Sequence, residues 1–362
     1  MSYDFVVVGA GMFGATFARA AADRGKRVLV VEKRDHIGGN CYTERREGID
    51  VHVYGPHVFH TNDFELWNWM NRFARFRPMI CRNVAMAKGK LWPLPMNLML
   101  FHQLWGVLTP EAARRALEER KVKDADQSTL KGWALGNLGK EIYETFIEGY
   151  TKKQWGRDPE TLPAGIIQRL PIRLTHEQSY FRDVYQGVPE CGYFEMFQRM
   201  LIDKNIEIVT HLDFLGDARK DLESRGQVIY SGRVDEYHGM RFGPLEFRSA
   251  RFEHRTIDGD FQGHFAVYHC DADHSYTRTI EHKHFLNPEN PKSVVTWEFP
   301  YECDRAKDIP FYPIEDAHNR RLYSLYRDLP TKAIFGGRLG HYSYMDMNQA
   351  AAEALTLVGR LT

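Results

Sequence analysis

Gly9-Ala-Gly-Met-Phe-Gly14 is the stretch whose reading decides the fold. An apolar run, Tyr3–Val8, precedes it; a segment rich in small residues, Phe13–Arg24, and a second apolar run, Arg27–Val31, follow. Strand, glycine turn, helix and strand make one βαβ unit. In that setting Gly9 permits the tight turn, Gly11 lets the backbone approach a pyrophosphate, and Gly14 lets helix and strand pack closely. Glu32 ends the second strand, where a carboxylate can accept hydrogen bonds from a ribose diol. The glycines alone are a weak signal; both strands, the helix and the acid together read as a dinucleotide site.

Working outward, the apolar spacing from about Leu66 to Gln154 is helical, as at Leu130, Trp133, Ala134 and Leu138. Gly156 to Gly165 reads as a loop. From about Val234 to Phe299, alternating pieces such as Phe265-Ala-Val-Tyr-His and Ser293-Val-Val-Thr-Trp-Glu-Phe read as antiparallel strands. The end returns to strand, glycines and helix: Ala333-Ile-Phe-Gly-Gly-Arg338, then Asp346 through Leu361.

Composition excludes several classes. Lys plus Arg (48) equal Asp plus Glu (48), so no global field draws the chain to nucleic acid or an anionic membrane. The most lipid-like stretch, Leu91 to Leu108, is broken by Pro93, Pro95, Asn97, His102 and Gln103 and predicts a buried helix entered through a proline turn. Phe5 to Val8 runs straight into the glycine turn, which does not fit a signal peptide. The five cysteines, Cys41, Cys81, Cys191, Cys270 and Cys303, are scattered and form no CxxC, so reduced thiols and a cytoplasmic location are expected. His282 and His284 are expected to alternate on a strand, with no ligand pattern completing a metal site; the metal expectation is none.

After Glu32, Lys33-Arg34-Asp35-His36-Ile37-Gly38-Gly39-Asn40 resembles the extended FAD fingerprint of glutathione-reductase-like flavoproteins, and Gly336-Gly337-Arg338 resembles their returning segment. No second strand–GxGxxG–helix occurs for a nicotinamide cofactor. The expected fold is α/β: a Rossmann-like FAD-binding domain with a helical insertion and an antiparallel β-sheet domain. The FAD domain is expected at 1–80, 176–230 and 326–362. The mainly helical insertion falls at 81–175, with a mobile lid near 156–172, and the sheet domain for substrate at 231–325.

Longer strings resemble bacterial UDP-galactopyranose mutase along nearly the whole chain: Tyr54-Gly-Pro-His-Val-Phe-His-Thr61, Phe146-Ile-Glu-Gly-Tyr-Thr-Lys-Lys-Gln-Trp155, Arg169-Leu-Pro-Ile-Arg173, Tyr276-Thr-Arg278 and Gly336-Gly-Arg-Leu-Gly-His-Tyr-Ser-Tyr-Met-Asp-Met347. The resemblance implies that N5 of reduced FAD attacks the anomeric carbon of UDP-galactose. UDP leaves and returns, and pyranose and furanose interconvert with no net redox change. Arg169 and Arg278 then stabilise the departing diphosphate, with Arg173 the alternative lid arginine, and His60 stands beside the flavin. Phe146 and Tyr150, spaced i, i+4, hold uracil with Trp155 close by; without the resemblance, such a pair is more often core packing. Asn83, Tyr180, Tyr312 and Tyr344 lie around diphosphate and sugar. Arg248 is placed near the sugar, with a cross-strand salt bridge as the equal alternative. Cofactor contacts are implied for Phe13, Lys33, Gly39, Asn40, His57, Val209, Arg338, Asp346 and Met347, beside Gly9, Gly11, Gly14 and Glu32. The resemblance also implies a homodimer and an external reductant such as NAD(P)H without a dedicated domain. A flavin oxidase of the amine-oxidase kind and a noncatalytic nucleotide-sugar module are the competing readings.

Overall fold

Residues 2–362 are described in a computed structural model. Two large sheets organise them. The first has five parallel strands in the order Ile206–Val209, Val28–Val31, Phe5–Val8, Gln227–Tyr230, Ile334–Phe335. Its central strands are continuous valine-rich runs because helices cover both faces and leave no solvent side. The helix Met12–Ala22 follows the first strand, and the terminal helix Met347–Leu361 packs along it through Ala350, Ala351 and Ala354. Gly14 is required by contact: a Cβ there would lie 1.9 Å from the Gly9 carbonyl oxygen. The Gly336-Gly337 pair answers to Phe13, whose ring a Cβ on Gly336 would meet at 2.0 Å.

The second sheet has seven strands, Tyr312–Pro313, Phe247–Asp258, Lys292–Glu302, Arg278–Glu281, Ala266–His269, Asn83–Ala87 and Lys90–Leu94. Here the structure corrects two sequence expectations. The region from Leu66 to Gln154 is not helical throughout, because Asn83–Ala87 and Lys90–Leu94 form a hairpin inside it. The sheet is also not purely antiparallel, since that hairpin joins Ala266–His269 by a parallel pairing. A third correction concerns His282 and His284: the strand ends at Glu281, and Lys283–Leu286 is a short helical turn.

Beyond the hairpin the expected helices are present: Leu98–Trp105, Pro110–Arg120, Leu130–Leu138 and Glu148–Trp155, with a π-helical turn at Tyr143–Ile147. Leu98–Trp105 has Asn97 as its N-cap and buries Leu98, Leu100 and Phe101, and no described helix is long and apolar enough to cross a membrane. The segment after Trp155 crosses the open side of this layer. It is tied at its middle by Leu130 N–H to the Leu162 carbonyl (2.8 Å) and at its end by Arg173 N–H to the Met96 carbonyl (2.8 Å). All five cysteines are free.

Candidate active site

A cavity of about 630 Å³ opens between the seven-stranded sheet, the helical layer and the loops of the dinucleotide half. Phe146, Tyr150 and Trp155 line one end of it. Phe146 lies in the π-turn and Tyr150 in the helix that follows, so the register changes between them; π-turns of this kind recur at functional sites. Phe146 also packs edge-on to Trp92 (5.3 Å), so it belongs to the core as well as to the cavity wall. Tyr150 faces Tyr268 across 6.0 Å, and the Arg278 guanidinium stands 5.6 Å from the Tyr268 ring.

Arg278 is a fixed cation. Its Nε donates to Glu298 at 2.7 Å and one Nη approaches the same oxygen at 2.5 Å. Burial opposes the charge, but the Glu298 carboxylate together with the neighbouring Tyr268, Tyr312 and Tyr150 outweighs it, and the Arg278 pKa is held well above the ordinary value. That Nη also donates to Tyr312 Oη (3.4 Å). Glu298 is fully buried, and its second oxygen has no hydrogen-bond partner. The sequence reading missed Glu298. Its signal was strand parity: Val294, Thr296 and Glu298 alternate on one fully buried face.

Arg169 stands in the opposite condition. Its side chain is 46% exposed, pairs with Asp346 at 3.3 Å and lies 3.8 Å over the Tyr344 ring. Tyr344 is stacked on Tyr312 (5.8 Å, 5° between planes) and has Arg338 4.8 Å from its ring. Arg173 does not line this cavity. It is buried and donates to the carbonyls of Ser179 and Tyr180, which shapes the loop that brings Tyr180 to the cavity. Asn83 lies on the hairpin strand, lines the cavity and donates to Tyr268 Oη at 3.5 Å.

The loop Tyr54–His60 forms the opposite wall, and its histidines are locked. The His57 ring Nδ1 meets the Gly55 carbonyl at 2.8 Å, so Nδ1 carries the proton and Nε2 keeps its lone pair. Burial, then Arg338, lowers the His57 pKa to about 4, so the ring is neutral at pH 7. His57 N–H donates to His52 Nδ1 (3.0 Å), and His52 N–H donates to His282 Nδ1 (3.2 Å). These ring nitrogens are occupied by backbone. His60 is hydrogen-bonded through Nδ1 to Asp183 (2.5 Å) and stacked on Phe181 (3.6 Å). His284 does come within reach of Glu281 and Asp260, which the sequence did not foresee, but the Lys283 ammonium stands 2.8 Å from Asp260 in the same cluster.

The dinucleotide half fits an FAD-like group on three observations. The helix Met12–Ala22 begins at Gly11 with no side-chain cap, leaving its first N–H groups to an anion. Gly39 approaches so closely that a Cβ there would lie 2.9 Å from Gly11 Cα, a cradle only glycines can form. Arg34 Nη1 and, at the start of the terminal helix, Asn348 Oδ1 are buried polar atoms without a protein partner. Glu32 accepts from Ala10 N–H (2.7 Å) and Arg34 N–H (2.9 Å), which fixes the carboxylate at the strand end. Asn40, Arg338, Asp346 and Met347 line the cavity at its junction with this half.

With that geometry established, likeness to known proteins is informative. The UDP-galactopyranose mutase family matches residues 145–344, and a Rossmann-like NAD(P)-binding domain matches residues 7–73. The chain belongs to the UDP-galactopyranose mutase family. It is 38% identical to a dTDP-fucopyranose mutase of Escherichia coli, over 97% of this chain and 96% of that protein. It is also 38% identical to a probable UDP-galactopyranose mutase of Klebsiella pneumoniae, over 97% and 93%. The crystal structure of a reduced UDP-galactopyranose mutase superposes with a TM-score of 0.79 at 13% identity, covering 99% of this chain and 94% of that one. The chain is therefore an enzyme of the mutase type, with a Rossmann-like fold that supports an FAD cofactor.

Several of the expected site residues make contacts within the protein. Arg248 does not line the cavity: it is buried under the Glu148–Trp155 helix, where its Nε donates to the Gln154 carbonyl (3.0 Å) and one Nη pairs with Glu302 (3.2 Å). The cross-strand salt bridge was the better alternative, because Arg248 and Glu302 are register partners in the sheet. Lys33 pairs with Asp213 at 2.8 Å and is largely exposed. Val209 is a strand residue whose carbonyl accepts Glu32 N–H, so it holds Glu32 in place. Phe13 is buried beneath the glycine pair.

Proposed function

We propose that this mutase interconverts the pyranose and furanose forms of a galactose-type sugar carried on UDP, with UDP-galactose as substrate. The observation that carries this reading is the arrangement of Tyr150, Arg278 and the His57 loop along one cavity, in the order base, diphosphate, reacting carbon. Arg278, Tyr312 and Tyr344 bind and orient the diphosphate, and Arg278 is already in place before negative charge develops on the bridging oxygen. Arg169 reaches the same anion from the lid and, with Tyr180 and Trp155, excludes water. His57, neutral with its Nε2 lone pair free, can accept a proton or hydrogen bond beside the flavin. FAD, when bound in its reduced form, supplies a nucleophilic nitrogen for the anomeric carbon and leaves the net redox state unchanged.

Dithionite-reduced protein incubated with UDP-galactofuranose should yield UDP-galactopyranose by chromatography, and the oxidised protein should not. Equal rates from both forms would rule out the nucleophilic flavin. A second reading is favoured by the equal 38% identity to the dTDP-fucopyranose mutase. The base end of the cavity is walled by Leu94, Met96, Leu130 and Ile167, apolar surface against which a thymine methyl can pack. Competition between UDP and dTDP for the protein decides between them: tighter dTDP binding moves the substrate to the thymidine series.

A further inference from the structure

The helix that carries Tyr150 is fastened to the strand that carries Arg278 by a half-buried ammonium group. Lys153 Nζ donates to the carbonyl oxygens of Asp271 (2.6 Å), His269 (2.8 Å) and Tyr276 (3.2 Å). An ammonium has three donors, so all are committed, and to neutral carbonyls rather than to a carboxylate. The His269 carbonyl ends the strand Ala266–His269, and those of Asp271 and Tyr276 belong to its connection to the strand Arg278–Glu281; Tyr276 is two residues from Arg278.

Two further contacts make the same joint. Gly149 lies four residues before Lys153 and so on the same helix face, and a Cβ there would stand 2.4 Å from the Cys270 carbonyl oxygen. The helix backbone thus rests directly on the connection. From the other side Arg248 donates to the carbonyls of Gln154 (3.0 Å) and Lys153 (3.3 Å), groups that a helix end leaves without an internal partner.

We infer that Lys153 is a positioning residue that sets the span between Tyr150 and Arg278, and so matches the enzyme to the length of a nucleoside diphosphate. The inference rests on the proposed function, in which base and diphosphate occupy those two ends. A ligand that touches both ends gains from their linkage only if the spacing is right, whereas a ligand that touches one end does not sense the spacing.

The test compares uridine, which reaches only the clamp, with UDP, which reaches both ends, by calorimetric titration of the flavin-loaded enzyme. Lys153→Met should bind uridine as the wild type does but bind UDP about tenfold more weakly, and its loss with UDP-galactofuranose should appear in KM more than in kcat. Gly149→Ala, which pushes the connection away by an independent route, should give the same split. Lys153→Arg keeps the charge, yet a planar fork cannot bring three donors to one point, so it should fall between. Equal losses for uridine and UDP would make Lys153 a support of the clamp alone, and unchanged UDP affinity would show that the span is set elsewhere; either result overturns the inference. Should Lys153→Met not fold with flavin, Gly149→Ala and Lys153→Arg carry the same comparison. If the wild type binds neither ligand, the proposed reading of the cavity fails instead.

Discussion

Arg278 and Arg169 face one cavity from opposite surroundings. Arg278 is 14% exposed on a central strand, with a buried carboxylate behind it and a tyrosine hydroxyl beside it. Arg169 is 46% exposed on a crossing segment, held by a surface ion pair and an aromatic face. A buried pair is costly to break from one side, whereas an exposed pair contributes little to stability and is easily exchanged. The molecule therefore divides its positive charge into a part fixed in the sheet and a part on the crossing segment held only by partly exposed partners.

The comparison is broken most sharply at Arg278. Arg278→Ala should lower turnover by about a hundred- to a thousandfold and, because Glu298 is left as an unpaired buried charge, destabilise the fold by about 3–5 kcal/mol. Thermal unfolding and steady-state turnover of the reduced enzyme check both. Adding Glu298→Gln should restore stability without restoring turnover; recovery of turnover would show that Arg278 serves the fold alone.

At Arg169 the two effects should separate. Arg169→Ala should lower turnover by about a hundredfold while the unfolding free energy moves by less than about 1 kcal/mol. Lysine should rescue either position poorly, since a point charge does not reproduce the guanidinium fork. Arg173→Ala is the control: it should leave turnover far closer to wild type, and the opposite ranking would transfer the lid role to Arg173. Flavin content should be unchanged in all three.

Tyr150 tests the fixed side at its other end. Tyr150→Ala should weaken UDP by about 1–3 kcal/mol if stacking on a base is its role. Normal UDP affinity with a much lower melting temperature would return it to the core. An effect of comparable size is expected from acid. His52 and His57 have folded pKa values lowered by burial to about 3 and about 4, below the ordinary 6.5. The unfolded chain therefore binds protons first. Stability is full above pH 6.5 and is lost as pH falls toward 4, by about 1 kcal/mol for each histidine at pH 5.5. Urea unfolding at pH 7.5 and 5.5 measures it, and a flat profile would contradict the locked neutral rings.

What the sequence disclosed follows from distance along the chain. The glycine fingerprint is local: Gly9, Gly11, Gly14 and Glu32 lie within one βαβ unit, where Gly9 makes the turn at a φ of 97° and Gly14 lets helix and strand pack closely. The hairpin Asn83–Ala87 with Lys90–Leu94 had a local signal that was passed over, a Lys88-Gly89 turn with both φ positive, flanked by alternating burial. Its parallel pairing with Ala266–His269 had none, because that contact joins residues half the chain apart. Arg248 falls outside the cavity lining for a related reason. A strand position does not say which face meets a helix from another layer, and here the helix end claims the guanidinium. Among the residues that resemblance picked out, Phe146, Tyr150, Trp155, Arg169, Tyr180, Arg278, Tyr312 and Tyr344 all line the one cavity.

Asp346 gives the cavity a resident counterion. Four arginines, Arg169, Arg278, Arg320 and Arg338, line the walls, and an anion entering such a place would find release slow. Because Arg169 already has a carboxylate partner, an anion arriving there would displace one anion with another instead of filling a bare field. The gain on entry is reduced by the partner surrendered, and the cost on exit is reduced by the partner regained. On the proposed function, binding at Arg169 is then an ion exchange, with Asp346 the counterion that takes the nucleotide's place as it leaves.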